Sequence, residues 1–230
     1  MRVWSPHCGL DPEARLGGEV YEREVLRALA DRGMALDILL ARHRRVPDGV
    51  RSWTVRRLPI GRGLRWPVAA LVLPRFIKRV YDARPFDVLR AHSLRYIGPA
   101  ALRARRLYRL DVPIIAHHHH LDDGRLNSLI EGRVMKRVER VVVGSEFAKR
   151  QASGVLGVPA EKLSVAYYGV EKRFAPGPRP EALVRRLGLE GQIVALFMGG
   201  LEARKNLGFL LDVWAQIVRE LEARGVDTLV

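Results

Sequence analysis

The chain has 230 residues, of which 48% are hydrophobic and 28% are charged, and its net charge is +15. This composition excludes a disordered chain, the single cysteine excludes an internal disulfide, and the longest apolar run (66–74) is shorter than the ~20 residues of a membrane-spanning helix. The first ten residues lack the charged and then apolar layout of a signal peptide, so we expect a cytoplasmic protein.

Short apolar runs alternate along the chain with longer amphipathic segments. The short runs predict strands at 2–4, 35–41, 53–58, 87–91, 113–118, 140–144, 163–167 and 193–198. The longer segments predict helices at 18–32, 66–82, 97–109, 125–138, 146–155 and 207–224, the second of them weakened by Pro67 and Pro74. Strands that are apolar on both faces and alternate with helices are typical of a doubly wound, parallel α/β sheet.

A break in composition follows at residues 169–181, which contain Pro176, Pro178 and Pro180 with two glycines. We therefore expect one domain over 1–170 and a linker over 171–190. The strand at 193–198, the helix at 207–224 and a fresh apolar run at 228–230 predict the start of a second α/β unit over 191–230. One strand and one helix cannot cover both faces of a sheet, so we expect this second unit to be truncated.

The positive charge is concentrated in the first half of the chain. Residues 1–112 hold 23 Arg and Lys against 11 Asp and Glu, whereas residues 113–230 hold 17 against 14. Such a field favours an anionic partner: phosphates, acidic lipid headgroups or nucleic acid. A general preference for arginine explains an excess equally well, but not its uneven placement. No helix-turn-helix, RNA-binding or zinc signature accompanies the charge, so we expect no nucleic-acid partner.

Four consecutive histidines, His117 to His120, lie at the C-terminal end of the strand predicted at 113–118. Ligands bind at that edge of a doubly wound sheet. Alternation along a strand sends His117 and His119 to one side and His118 and His120 to the other, so neither side has the three or four ligands of a metal site. We therefore expect no metal, and favour a histidine that forms a hydrogen bond with a polar substrate.

His92 directly follows the strand predicted at 87–91. It therefore belongs to the same carboxyl edge of the sheet, which we call the rim. It is either a substrate-binding histidine or a structural one that bonds a neighbouring loop.

Gly17 and Gly18 stand at the start of the first predicted helix. Glycine lets a ligand approach the backbone closely, and the positive end of a helix suits a phosphate or a sugar hydroxyl. An ordinary turn is the alternative. The pair is not a GxGxxG dinucleotide fingerprint, and the next strand ends without the acidic residue that would hold an adenosine ribose.

A second turn joins Gly199 and Gly200 to Arg204 and Lys205, just before the last predicted helix. Arginine can bind two oxygens of one group, and lysine acts as a point charge, so this turn suits a diphosphate. A solvated basic loop in a basic protein is the alternative.

The order of these motifs resembles the retaining nucleotide-sugar glycosyltransferases of the large group-one family, whose GT-B fold has two facing Rossmann-like domains. The segments that carry the resemblance are GGE after the first strand, DVLRAHS, PIIAHHHHLDD, RVVVGSEFAKR, GVPAEKLSVAYYGVEKRFAP and LFMGGLEARKNLGFLLD. They cover nearly the whole chain. The resemblance implies an acceptor-binding, Rossmann-like N-terminal domain and the opening of a donor-binding C-terminal domain.

By this resemblance, His119 takes the position of the active-site histidine that contacts the transferring sugar, with His118 as second choice. The glycine pair of the first helix would line the cleft near the donor diphosphate and the acceptor. Lys205 matches the lysine that holds the diphosphate, with Arg204 beside it. The implied activity is transfer of a sugar from a nucleotide-diphosphate donor to a glycan, lipid or small-molecule acceptor, with retention and without a cofactor or divalent metal.

Three departures from the family pattern bear on this activity. Gly199-Gly200 stands where the family often has Gly-Arg, so Lys205 and Arg204 would supply most of the positive charge. The usual Pro-Asn-Gly-Val turn is Tyr167-Tyr168-Gly169-Val170 here. By the resemblance, the two glutamates that hold the sugar and ribose hydroxyls in the family are expected downstream of Val230, and so are not among these 230 residues.

A second hypothesis is a non-catalytic module that binds an acceptor or, peripherally, the anionic inner membrane surface. Residues 62–84 combine Trp66, Phe76 and Tyr81 with six basic residues, a pattern that can lie on anionic lipid. An ordinary helix with its apolar side on the sheet is the alternative.

Overall fold

Seven strands form one sheet in the computed structural model of the chain. They are β1 (Arg2–Pro6), β2 (Ala35–Ala41), β3 (Trp53–Leu58), β4 (Val88–Ala91), β5 (Ile114–His118), β6 (Arg140–Val143) and β7 (Leu163–Val165). Every pairing is parallel, and the order is β3-β2-β1-β4-β5-β6-β7. The strand order reverses between β1 and β4, where doubly wound sheets bind ligands. The seven strands predicted before residue 170 are confirmed.

The structure describes residues 1–6, 17–41, 45–46, 53–58, 65–119, 124–170, 174–192, 194–201 and 203–226. The chain divides into two compact units, residues 1–170 and 171–230. Most of the loop before Gly17, His120, the apolar run 228–230, and the side chains of Trp66 and Arg204 lie outside the described part.

Five helices cover the sheet of the first unit. They are α1 (Gly17–Asp31), α2 (Arg65–Ala83), α3 (Ile97–Tyr108), α4 (Arg125–Arg137) and α5 (Glu146–Gly154). The start of α5 is fixed by Ser145, whose Oγ accepts a hydrogen bond from the Ala148 N–H at 3.1 Å. All five helices were predicted, and Pro74 lies inside α2 without ending it.

The hydrophobic core lies on both faces of the sheet, in two clusters. The larger cluster joins β4, β5 and β6 to α2, α3, α4 and α5. The smaller one packs Leu26 of α1 against β2 and Trp53 of β3. Burial of apolar surface on two faces is the main favourable term for such a fold, and it explains why the strands read as continuous apolar runs.

The basic helix α2 buries one side in the larger cluster, through Leu73, Ile77 and Val80. Its exposed side carries Leu71, together with the aliphatic and charged parts of Arg75. This burial is what an ordinary helix on a sheet requires, and the membrane-surface hypothesis remains a prediction. None of the helices in the described ranges combines the length and the apolarity needed to cross a membrane.

The second unit differs from the sequence prediction in two places. The expected linker contains a short helix, α6 (Glu181–Leu187), which begins directly after Pro180, a position where proline costs no hydrogen bond. The strand predicted at 193–198 is not formed: residues 194–198 have no regular structure, and Leu196 and Met198 are 84% and 88% exposed. A strand needs a hydrogen-bonded neighbour, and no strand occurs among the described residues of this unit. Helix α7 (Leu207–Ala223) was predicted.

A close contact between α3 and α4 offers a test of the packing. A Cβ added at Gly98 would lie 2.6 Å from Cγ1 of Val134. Overpacking costs about 1–3 kcal/mol and alanine gains ~1 kcal/mol over glycine within a helix, so Gly98→Ala should lower the free energy of unfolding by up to about 2 kcal/mol. Urea denaturation measures this change.

The matched control is Gly154→Ala, since a Cβ there would meet nothing within 4 Å. In a Val134→Ala background the loss caused by Gly98→Ala should shrink. Equal losses in both backgrounds would show that the two side chains do not clash.

Candidate functional site

Parallel pairing places the carboxyl ends of β4 and β5 next to each other, beside the switch in strand order. His92 directly follows β4, while His117 and His118 end β5 and His119 follows them. Helix α1 faces the same edge through Glu22. Four chemically active side chains therefore meet at one rim of the sheet: Glu22, His92, His117 and His119.

A buried ion pair between Glu22 and Arg90 anchors this rim. Glu22 is 1% exposed and Arg90 4%, and both Arg90 terminal nitrogens donate to the carboxylate, one at 2.9 Å to Oε2 and the other to Oε1. Burial lowers the pKa of Arg90 to about 10, with Tyr21 opposing the shift, so the guanidinium stays charged at neutral pH. The two buried charges are tolerated because they form a bidentate ion pair, with two hydrogen bonds between one guanidinium and one carboxylate.

A line of hydrogen bonds leads from Glu22 to the surface. Nδ1 of His92 lies 2.9 Å from Oε2 of Glu22. Nε2 of His119 lies 3.2 Å from the same Nδ1, and Nδ1 of His119 lies 2.9 Å from the hydroxyl oxygen of Tyr168. Both ring nitrogens of His119 are therefore engaged by protein groups.

His92 is a neutral imidazole at physiological pH. Burial and the positive charge of Arg90 lower the pKa of His92 to about 3, and the nearby Glu19 opposes this shift only in part. A neutral imidazole carries one proton, so one ring nitrogen donates and the other accepts.

The Glu22 carboxylate, at the buried end of this line of hydrogen bonds, determines which ring nitrogens of His92 and His119 carry protons. The Glu22 carboxylate, paired with Arg90, accepts, so the proton of His92 is on Nδ1. Nε2 of His119 faces the same N–H, so this one proton is shared between two acceptors, and we assign the His119 proton to Nδ1, where it is donated to Tyr168. The hydroxyl of Tyr168 thus accepts from His119 and keeps its own proton for a ligand.

Tyr168 reaches His119 because Gly144 has no side chain. A Cβ at Gly144 would lie 2.6 Å from Cζ of the Tyr168 ring. The Tyr21 ring of α1 meets Tyr168 edge-on, with the centroids 4.6 Å apart. Burial, followed by the proximity of Tyr21, raises the pKa of Tyr168, so it is a neutral phenol at physiological pH.

The described part of the histidine run, His117 to His119, splits between the two sides of the sheet, as alternation predicts. His117 accepts from Nε of Arg90 at 3.1 Å, and its ring lies 6.4 Å from that of His119. His118 is 3% exposed and points the other way, with Nδ1 3.9 Å from Oε2 of Glu131 on α4. His118, the second choice for the substrate-binding histidine, therefore does not face the rim where His119 lies.

The glycine pair begins α1, and both residues are exposed. A Cβ added to Gly17 or Gly18 would meet none of the residues that the structure describes within 4 Å. A ligand could approach this backbone, which is what the sequence prediction requires of it.

The turn that contains Gly199, Gly200, Arg204 and Lys205 belongs to the second unit and is described within that unit alone. Lys205 ends a short 3-10 turn (Ala203–Lys205), two residues before α7 begins. Its Cε lies 3.9 Å from where a Cβ of Gly199 would be, so Gly199 and Lys205 are neighbours. Gly200 is exposed beside them. The structure thus brings the glycines and the lysine of this turn together.

Comparison with known proteins decides the family. Residues 16–174, more than half of the chain, match the sequence profile of Glycosyltransferase Family 4. The chain belongs to that family. Two D-inositol 3-phosphate glycosyltransferases are each 29% identical to it, one from Geodermatophilus obscurus over 89% of this chain and 50% of the relative, the other from Thermobifida fusca over 93% and 54%. The chain spans about half the length of these curated relatives.

Solved structures show the same fold. Anabaena Alr3699/HepE, in complex with UDP and glucose, has a TM-score of 0.66 at 18% identity, over 94% of this chain and 58% of that chain. WaaG, a glycosyltransferase involved in lipopolysaccharide biosynthesis, has a TM-score of 0.56 at 8% identity, over 84% and 53%. The first unit of this chain is therefore a Rossmann-like domain of the GT-B type.

Sequence reasoning missed three members of the rim, although each leaves a signal. Glu22 lies four residues before the buried Leu26, so it places a carboxylate on the apolar side of α1. Arg90 interrupts an apolar strand. Tyr168 stands where the family turn has asparagine, so what reads as a mild departure supplies an aromatic hydroxyl to the site.

The proton assignment can be tested by nuclear magnetic resonance of the histidine ring nitrogens. We expect His119 to carry its proton on Nδ1, and Tyr168→Phe to mix the two tautomers of His119, because the N–H loses its acceptor. His118, on the other side of the sheet, should not change. A wild-type His119 with its proton on Nε2 would contradict the assignment.

Proposed function

We propose that this protein transfers a sugar from a nucleotide-diphosphate donor, with retention at the sugar carbon, and that the rim formed by His92, His119 and Tyr168 binds the sugar or acceptor hydroxyls. The observation that carries the proposal is the ordered line of hydrogen bonds at the carboxyl edge of β4 and β5. Family membership supports glycosyl transfer, and structures of the same fold bind UDP and glucose.

The rim is suited to recognising a hydroxyl of defined orientation. The Tyr168 hydroxyl retains a proton for donation. Its partner His119 is oriented by the hydrogen bond between its Nε2 and Nδ1 of His92. A group whose donors are fixed before the substrate arrives loses little conformational entropy on binding. The closed arrangement also means that a sugar hydroxyl bonded by a ring nitrogen of His119 displaces either Tyr168 or His92.

We assign the leaving diphosphate to Lys205 and Arg204. Lys205 is exposed, touches the glycine turn, and lies just before the N-terminus of the 17-residue helix α7, whose positive end favours an anion. These cations and the N–H groups at the helix start would stabilise the charge that develops on the departing phosphate. Because they do so, the reaction we propose needs no divalent metal.

We also propose that the acceptor carries a phosphate. The excess of 12 positive charges over residues 1–112 favours an anionic partner, and the curated relatives are named for D-inositol 3-phosphate. Other glycan or lipid acceptors compete with this choice.

Substitution of Lys205 tests the assignment of the leaving group. In an enzyme with a complete donor-binding domain, Lys205→Ala should lower kcat about 10²–10³-fold, the usual effect of removing one donor from a developing anion, and should leave folding intact because the side chain is exposed. Release of nucleoside diphosphate across a panel of nucleotide sugars measures turnover. Arg219→Ala, an exposed cation on α7, is the control. Unchanged turnover in Lys205→Ala would remove Lys205 from the mechanism.

Calorimetric titration with D-inositol 3-phosphate and with inositol tests the acceptor class. We expect the phosphorylated compound to bind about tenfold or more tightly, since a hydrogen bond to a charged group contributes about 1.5–3 kcal/mol. The difference should shrink as salt is added. Equal affinities for the two compounds at low salt would overturn the phosphate proposal while leaving glycosyl transfer to another acceptor intact.

A further inference from the structure

Three donor atoms from three separate elements converge at the rim. They are Oε2 of Glu22 on α1, Nδ1 of His92 after β4 and Nε2 of His119 after β5, and all lie within 4.8 Å of one another. The histidine run alone gives two ligands on each side of its strand, which is too few for a metal. The tertiary structure supplies the others from elements that are distant in sequence.

The spacing of these atoms is close to that of a zinc coordination shell. Oε2 of Glu22 and Nδ1 of His92 are 2.9 Å apart, and Nδ1 of His92 and Nε2 of His119 are 3.2 Å apart. Tetrahedral zinc with bonds of 2.0–2.1 Å separates neighbouring ligand atoms by roughly 3.3 Å. The third separation, between Oε2 of Glu22 and Nε2 of His119, is at most 4.8 Å, so an ion fits among the three atoms once the side chains move to equalise the distances.

The surrounding groups already orient two of the three ligands. Nδ1 of His119 donates to the Tyr168 hydroxyl, which leaves Nε2 as the coordinating nitrogen and is the usual outer-shell arrangement of a metal-bound histidine. Arg90 holds the carboxylate of Glu22 in a single orientation. His92 must change its tautomer, because Nδ1 can coordinate an ion only without a proton. The proton moves from Nδ1 to Nε2 through solvent, so the ring stays neutral and no net proton is released.

We propose that Glu22, His92 and His119 form a Zn²⁺ site. Two imidazoles and one carboxylate are a ligand set that binds zinc with a fourth position open to water or an anion. Because Arg90 compensates the charge of Glu22, the bound ion keeps most of its positive charge, which favours an anionic fourth ligand. Zinc also occupies Nε2 of His119, so it competes with any sugar that this nitrogen binds.

Binding of Zn²⁺ and of Co²⁺, its coloured substitute, tests the proposal without any turnover. We expect one ion per chain, measured by titration calorimetry, and the intense visible absorption of four-coordinate cobalt. His92→Ala and His119→Ala should each weaken binding by more than about tenfold, since even outer-shell substitutions cost roughly 10–100-fold. Both side chains are partly exposed, so these variants should fold, and circular dichroism verifies this.

The run His117 to His120 is an alternative metal site, since consecutive histidines can bind a metal ion without preorganised ligand positions. The matched control is therefore the double variant His117→Gln and His120→Gln, which removes two histidines and keeps the proposed ligands. Its affinity should stay within about twofold of the wild type, well inside the effect of losing a ligand.

Any of three results would overturn the proposal. One is wild-type affinity in His92→Ala, because an ion on the run alone does not need His92. The second is loss of binding in the double variant, and the third is no binding by the wild-type chain at all. Tyr168→Phe gives an independent readout: it should weaken zinc moderately through the orientation of His119, whereas an ion bound elsewhere would be unaffected.

Discussion

The ion pair between Glu22 and Arg90 is the constraint on which the candidate site depends. Both charges are removed from water, so each is stable only while the other is in place, and breaking such a pair typically costs about 3–5 kcal/mol. The pair also fixes a carboxylate oxygen behind His92, which determines the tautomer of His92 and, through it, that of His119. A buried electrostatic contact thereby sets the polarity of groups at the surface.

The parallel topology explains why this contact can serve a site at all. Helix α1 follows β1, and β1 is the strand beside β4, so the change in strand order puts Glu22 directly over the end of β4. The loop after β7 completes the rim, because Gly144 at the end of β6 leaves room for the Tyr168 ring. Each contributor comes from a different crossover of the sheet, as is usual for ligand sites in this fold.

The two roles that we propose for His119 exclude one another. In the protein alone, its two ring nitrogens bond His92 and Tyr168. A metal ion would use Nε2 and displace the contact with His92, so it competes directly with a sugar hydroxyl bound at that nitrogen. The same arrangement that prepares the histidine for a substrate therefore also prepares it for a cation, and the relative affinities decide which is bound.

The sequence by itself determined the features that depend on local periodicity. Apolar runs and amphipathic segments predicted the seven strands and five helices of residues 1–170, and alternation placed His117 and His119 on one side of β5 and His118 on the other. The tertiary structure alone decided the pairings between distant residues. Glu22 and Arg90 are 68 residues apart and His119 and Tyr168 are 49 apart, and no periodic pattern links them. Periodicity also failed at 193–198, because a strand depends on a hydrogen-bonded neighbour and not on its own apolar residues.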